Sequence, residues 1–207
     1  MDFSLTDDQK AFVDSARAFS EGALAPNAAK WDEESIFPKD VLAQAGELGF
    51  MGMMVDPKYG GGGMDTVSYV LAMEEISKID ASASVAMSVN NSLVCWGLET
   101  YGTEEQKEKY LAPLASGEIL GAFCLSEPEA GSDATSQRTT AKDMGDHYLL
   151  NGAKLWISNS PFADIAVVWA KNEEDRIHGL LVERGMEGFS TPETHHKWSL
   201  RASATDE

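Results

Sequence analysis

Hydrophobic positions recur at helical spacing through the first 118 residues and at a spacing of two after them. Thr6-Asp7-Asp8-Gln9 carries the capping-box pattern, and Phe12, Ala16, Phe19 and Ala23 then line one face of a helix running toward Pro26. Pro38, Val41, Leu42, Ala45 and Leu48 predict a short second helix ending near Gly49. The apolar run Phe50 to Val55 behind it reads as either a packing loop or a short strand. A further helix is expected from Met64-Asp65 through Val67, Val70, Leu71 and Ile76 to Ile79. Residues 82–98 predict a mostly buried helix, in which Asn90, Asn91 and Ser92 are poor helix formers whose side chains need partners. Thr103-Glu104-Glu105-Gln106 is a second capping box, opening a helix through Leu111 that stops near Pro113 and Gly117.

From Ile119 the period changes. Strands are predicted at 120–126, 138–143, 147–159, 164–171, 177–183 and 196–204, separated by turns such as Asp143 to Asp146 and Lys171 to Asp175. Asn151-Gly152 between apolar runs is a strong hairpin signal, because both turn positions take positive φ. Helices first and strands afterwards exclude an alternating α/β fold. They predict an α+β chain, with an all-α domain over residues 1–118 and an antiparallel β-barrel or sandwich domain over 119–207.

Charge narrows the partners. Thirty-four acidic against sixteen basic residues give a net charge of −18, spread as −12 over residues 1–118 and −6 over 119–207. Such a surface repels nucleic acid and anionic membranes, so neither is expected as a partner. Cys95 and Cys124 form neither a CxxC pair nor a disulfide framework, which predicts reduced thiols and a cytoplasmic location. Met1-Asp2-Phe3-Ser4-Leu5 lacks the basic stretch of a signal peptide, and no apolar run approaches the roughly 18 residues of a membrane span. His147, His178, His195 and His196 fall at no metal-ligand spacing, and no metal is expected.

Two stretches carry candidate chemistry. In Phe123-Cys124-Leu125-Ser126-Glu127-Pro128-Glu129-Ala130-Gly131-Ser132-Asp133 a strand breaks at Pro128 into a run of small residues. That turn reads either as an anion cradle of N–H groups and a hydroxyl, or as a plain strand-to-loop transition. In Leu149-Leu150-Asn151-Gly152-Ala153-Lys154-Leu155-Trp156-Ile157-Ser158-Asn159, strand alternation puts Trp156 and Ser158 on one face and Leu155, Ile157 and Asn159 on the other. An indole two residues from a hydroxyl suits stacking on a planar ring; a core tryptophan is the other reading. The loop Gly60 to Gly63 lacks a GxGxxG spacing and reads as a turn allowing close chain packing.

Both stretches resemble the flavin-site motifs of the acyl-CoA dehydrogenase family. Ser88-Val89-Asn90-Asn91-Ser92-Leu93 and the run from Gly102 to Leu111 are also similar to it, closest to its short-chain, butyryl-CoA-type branch. The resemblance implies a helical domain, a β-domain and a C-terminal four-helix bundle. The last of these would carry the base and lies beyond a chain ending in the run Lys197 to Glu207, so a fragment is expected, inactive alone and binding flavin weakly if at all. Ser199 stands where a Gly is usual, a departure that bears on the local turn.

The activity implied is FAD-dependent α,β-dehydrogenation of a short-chain acyl-CoA, with electrons passing to an electron-transferring flavoprotein in a homotetrameric parent. A flavin- or acyl-CoA-binding relative without dehydrogenase activity and an acyl-CoA oxidase are the alternatives. Carried over by position, Phe123, Leu125, Ser126, Trp156, Ile157 and Ser158 would contact the flavin ring. Gly131 and Ser132 would hold the pyrophosphate, with Ser132 also near the CoA arm. Met87 and Val89 would bound the acyl cavity, or be plain core; no residue of this chain is assigned as base.

Overall fold

The computed structural model describes residues 4–206, so Met1 to Phe3 of the start and Glu207 of the closing run lie outside the described residues. The chain divides into two compact units: residues 4–119 with 196–203, and residues 120–195 with 204–206.

The first unit is helical. Helix α1 (Asp7–Phe19) begins at the expected box: the Thr6 hydroxyl accepts from Gln9 N at 3.2 Å, and Gln9 Oε1 accepts from Thr6 N at 3.0 Å. It widens into a π-helical turn, Ser20–Leu24. Helix α2 (Ala28–Glu34), which the hydrophobic pattern did not reveal, precedes α3 (Lys39–Glu47). The run Phe50 to Val55 is a packing loop, with Phe50, Met51 and Met53 essentially inaccessible. Asp65 caps α4 (Thr66–Ile79) by accepting from Ser68 N at 2.8 Å. Helix α5 (Ala81–Ser88) continues through a second π-helical stretch, Val89–Cys95, into α6 (Trp96–Tyr101), and α7 (Glu104–Ala115) starts at the second capping box.

The glycine loop packs as expected. A Cβ on Gly61 would sit 2.2 Å from Val55 O, while Gly62 N and Gly63 N donate to the carbonyls of Gly52 and Val55 at 3.0 and 2.8 Å. Its amides are committed to protein carbonyls.

The second unit is a sheet, and a mixed one. Strand β5 (Ile165–Lys171) is its spine, antiparallel to β6 (Ile177–Glu183) along one edge. On the other edge lie β1 (Gly121–Cys124) and then the end of β2 (Thr140–Asp143), both parallel to β5, with β3 (Tyr148–Asn151) antiparallel to β2. A separate pair joins β4 (Ile157–Ser158) to β7 (Thr205–Asp206). The expected all-antiparallel barrel or sandwich is therefore corrected: no closed barrel forms among the described residues. β1 reaches β5 after a long excursion instead of a hairpin, and such connections permit parallel pairing. The core lies on the face carrying Ala122, Cys124, Ala166, Val168 and Val182, closed by Ile157 and Ala163.

Two further expectations change. The stretch 147–159 is not one strand, and Asn151-Gly152 is not a hairpin turn: Asn151 pairs with Thr140 inside β3, and β4 pairs with β7. Gly152 is required for another reason, since a Cβ there would lie 2.4 Å from Thr139 Oγ1. The stretch 196–204 is not a strand. His196 and Leu200 take left-handed φ of 61° and 52°, and Arg201 binds Asp32 of α2 from its backbone N (2.9 Å), Nε (3.0 Å) and Nη2 (2.7 Å). That ion pair places the segment in the helical unit. The Arg201 hydrogen bonds also hold the Asp32 carboxyl below the usual range.

Candidate functional site

The sheet unit brings the two candidate stretches together. After β1 the chain makes a tight turn in which Glu127 N and Ala130 N donate to each other's carbonyls at 3.0 and 3.1 Å. Leu155 N donates to Ser126 O at 2.9 Å, and Lys154 Nζ to Leu125 O at 3.1 Å. Segments almost thirty residues apart thus run side by side.

Beyond the turn, Gly131, Ser132 and Asp133 are exposed. The Asp133 carboxylate is committed to the hydroxyls of Ser136 and Thr135, which hold its carboxyl below the ordinary range. Among the described residues, the N–H groups of Gly131, Ser132 and Asp133 donate to no backbone carbonyl, and space around Gly131 is open. Unspent donors on an exposed small-residue turn fit an anionic group such as a pyrophosphate.

Trp156 is left-handed, with φ of 60°, and 71% exposed. Its N–H donates to Asp206 O at 2.8 Å, so pairing with β7 holds the backbone while the indole points outward. A non-glycine residue held in this region costs on the order of 1–3 kcal/mol, which the surrounding pairing must offset. Alternation starts only at Ile157, so Trp156 and Ser158 do not share a strand face. Asn159, also left-handed at φ 71°, closes the segment with its Nδ2 donating to Gly121 O at 3.2 Å.

The remaining assigned residues are placed as follows. Phe123 lies on the sheet face opposite the core cluster, its ring edge-on to Trp169 at 5.7 Å. Leu125 and Ser126 are half-buried beside Lys154 and Leu155, and Ser158 is half-buried in β4. The Ile157 side chain is core, and its carbonyl accepts from Ser160 Oγ at 2.8 Å. Met87 is fully buried in α5, and Val89 opens the π-helical stretch, both in the helical unit. Burial pushes the Cys124 thiol up to about 12, which rules it out as a nucleophile at neutral pH.

Sequence reasoning missed Asp206. Burial, relieved in part by Ser160 and Arg184, raises its carboxyl to about 6. A carboxyl raised above its unfolded value stabilises fully below about pH 4, and the contribution is lost as pH rises through about 6. Asp206→Asn is therefore expected to stabilise the protein by about 2–3 kcal/mol at pH 8 and by nothing at pH 4. Urea unfolding of both forms across this range measures the difference, and a pH-independent offset would refute it.

Comparison with known proteins follows this geometry. The profile of the acyl-CoA dehydrogenase N-terminal domain matches residues 6–118, and that of the acyl-CoA dehydrogenase middle domain matches residues 122–207. The chain belongs to the acyl-CoA dehydrogenase family. Within it, a short-chain-specific acyl-CoA dehydrogenase of Clostridium acetobutylicum is 41% identical across 100% of this chain and 56% of its own length. A chain solved in a study of the electron transferring flavoprotein of Acidaminococcus fermentans superposes with a TM-score of 0.96 at 42% identity, covering 100% of this chain and 55% of that one. A glutaryl-CoA dehydrogenase from Mycobacterium smegmatis in complex with FADH2 gives 0.94 at 39% identity, covering 98% and 52%. The chain spans about half the length of these relatives. No described helix is long and apolar enough to cross a membrane.

Proposed function

We propose that the chain binds FAD and a short-chain acyl-CoA for α,β-dehydrogenation, with an electron-transferring flavoprotein as electron acceptor. The observation that carries this reading is the union, in one unit, of a turn with unspent amides and a strained, outward Trp156, tied by Leu155 and Lys154 to residues 125–127. The short-chain specificity of the Clostridium relative supports the substrate class, and the FADH2 complex of the Mycobacterium relative supports the cofactor.

FAD, when bound, supplies the redox capacity. The Gly131 and Ser132 amides receive the pyrophosphate, and the Ser132 hydroxyl serves the CoA arm. Trp156 lays its indole against the ring, Ser158 offers a hydroxyl to the ring edge, and Ile157 between them anchors the segment in the core. Phe123, Leu125 and Ser126 shape the wall, and Met87 and Val89 limit acyl depth. Each holds or orients, which is how a site fixes reacting groups and excludes water. No carboxylate of this chain is assigned as base.

FAD titration of the chain, followed by flavin fluorescence and the visible band, tests the reading. Saturable binding is expected, weakened roughly fivefold by Trp156→Ala, in line with about 1 kcal/mol for an aromatic stack. Butyryl-CoA added without oxygen is expected to perturb the band of this chain without bleaching it. Bleaching is expected once the chain is joined to the remaining length of its Clostridium relative, and slow recovery in air then separates a dehydrogenase from an oxidase. Absence of FAD binding in the joined chain as well would overturn the reading.

A further inference from the structure

We propose that Lys154 and Glu127 are positioning residues that hold the 125–139 segment, and the exposed turn at 131–133 within it, in its ligand-receiving shape, a role that rests on the flavin reading above. Neither group faces solvent: the Lys154 side chain is 9% exposed and that of Glu127 is 6%. Lys154 Nζ donates to Glu127 Oε1 at 2.8 Å, to Gln137 Oε1 at 3.0 Å and to Leu125 O at 3.1 Å, which spends all three of its protons. Glu127 also accepts from Arg138 N at 2.6 Å, Thr139 N at 3.0 Å and Thr139 Oγ1 at 2.5 Å.

The ammonium therefore grips the turn at its start, through Leu125, and the carboxylate grips it at its end, through residues 138–139. Between these two grips lie Gly131, Ser132 and Asp133, whose amides the rest of the unit leaves unspent. Lys154 reaches the pair because Gly152 passes directly over Thr139, where a Cβ would collide. It stands two residues before Trp156, so one segment supplies both the clamp and the outward indole. The ammonium also fixes the Gln137 amide, which is 1% exposed and has no acceptor for its Nε2, so the cluster is built around Lys154 at the expense of Gln137. A pair serving stability alone has no need of partners confined to the two ends of one exposed turn.

The double variant Glu127→Gln/Lys154→Met removes both charges together and so leaves no unpaired ion behind. Two readouts on the whole chain are compared: hydrogen exchange of amides 130–139 without flavin, and FAD affinity. Exchange of the hydrogen-bonded amides in this range, those of Ala130, Ser136, Gln137, Arg138 and Thr139, is expected to quicken at least tenfold while β5 and β6 stay protected, and FAD affinity is expected to fall at least tenfold. Trp156→Ala should lower affinity while leaving that exchange unchanged. Faster exchange with unchanged affinity would reduce the pair to a structural tie and overturn the proposal, as would unchanged exchange. If neither the wild-type chain nor the chain joined to the remaining length of its relative binds FAD, the flavin reading fails and the proposal falls with it, whatever the exchange shows. Should β5 and β6 lose protection in the double variant, Lys154→Gln is judged by the same two readouts. Unfolding of both would overturn the proposal, since the pair would then hold the whole unit and not the turn.

Discussion

Replacing Asn91 with leucine is expected to destabilise the helical unit by about 4 kcal/mol, a large share of a typical domain's margin. Asn91 is 2% exposed and sits in the π-helical stretch between α5 and α6. Its Nδ2 donates to Phe50 O at 2.8 Å and Met87 O at 3.0 Å, and its Oδ1 accepts from Met53 N at 2.7 Å. The Phe50 to Val55 loop is thus stitched to the helix by one amide. Leucine keeps the branched shape and the number of heavy atoms, so no cavity opens, but Phe50 O and Met53 N lose their partner where water cannot replace it, at roughly 1–3 kcal/mol each. Asn90 acts beside it on Met51 O and Leu114 O at 2.9 and 3.1 Å, which leaves no slack for the loop to shift toward other donors. Denaturant unfolding of the variant measures the cost, with Leu93→Ala, at a 38% exposed position, as the mild control. A loss under about 1 kcal/mol would show that the loop finds other partners.

The second large effect is a pH dependence seated at Glu127. Burial pushes this carboxyl upward, but the Arg138 amide, the Lys154 ammonium and the Thr139 hydroxyl and amide together outweigh it and bring the group down to about 2. A carboxylate depressed in the folded state stabilises fully above its unfolded value, near 4.5, and the contribution is lost as pH falls through about 2. The shift corresponds to about 3 kcal/mol. Glu127→Gln keeps the shape and removes the charge, so it should be about 3 kcal/mol less stable than wild type at pH 6. Most of that gap should close by about pH 2.5, because the wild-type carboxyl in the unfolded chain is by then protonated and the unfolded state gains on the native one. Parallel stability curves for the two proteins would contradict it. The effect runs opposite to that of Asp206, which loses stability as pH rises, because Asp206 is buried without comparable donors.

Much of the helical unit was legible. Both capping boxes join residues three apart, so their geometry is written in the local sequence and they form as read. The need of Asn90 and Asn91 for partners was also legible, from their poor fit to a helix; the identity of those partners, from Phe50 and Met51 behind them to Leu114 ahead, was not. Helix α2 went unread because it buries no residue fully, leaving no apolar stripe to mark it. In the sheet unit, Asn151-Gly152 misled because the dipeptide signals a turn by local preference alone. Here Gly152 answers to Thr139 and not to a hairpin. The candidate site was half legible: its two stretches stood out as motifs, and Glu127 and Lys154 lay inside them. The alternation rule nevertheless put Trp156 on the wrong footing, since a left-handed residue breaks the alternation on which the rule depends.

The sequence by itself determined that helices come first and strands afterwards, the two capping-box helix starts and the residue types from which a flavin site can be made. These depend on interactions a few residues long, which any isolated stretch can express. Only the tertiary structure decided that β5 lies between β6 on one edge and β1 and β2 on the other, and that β4 pairs with β7. It alone brought Arg201 to Asp32 across 169 residues and Lys154 to Glu127 beside an exposed turn. Partner choice over such separations is settled by which closures bury apolar surface and satisfy every buried polar group at once. No local pattern carries that information.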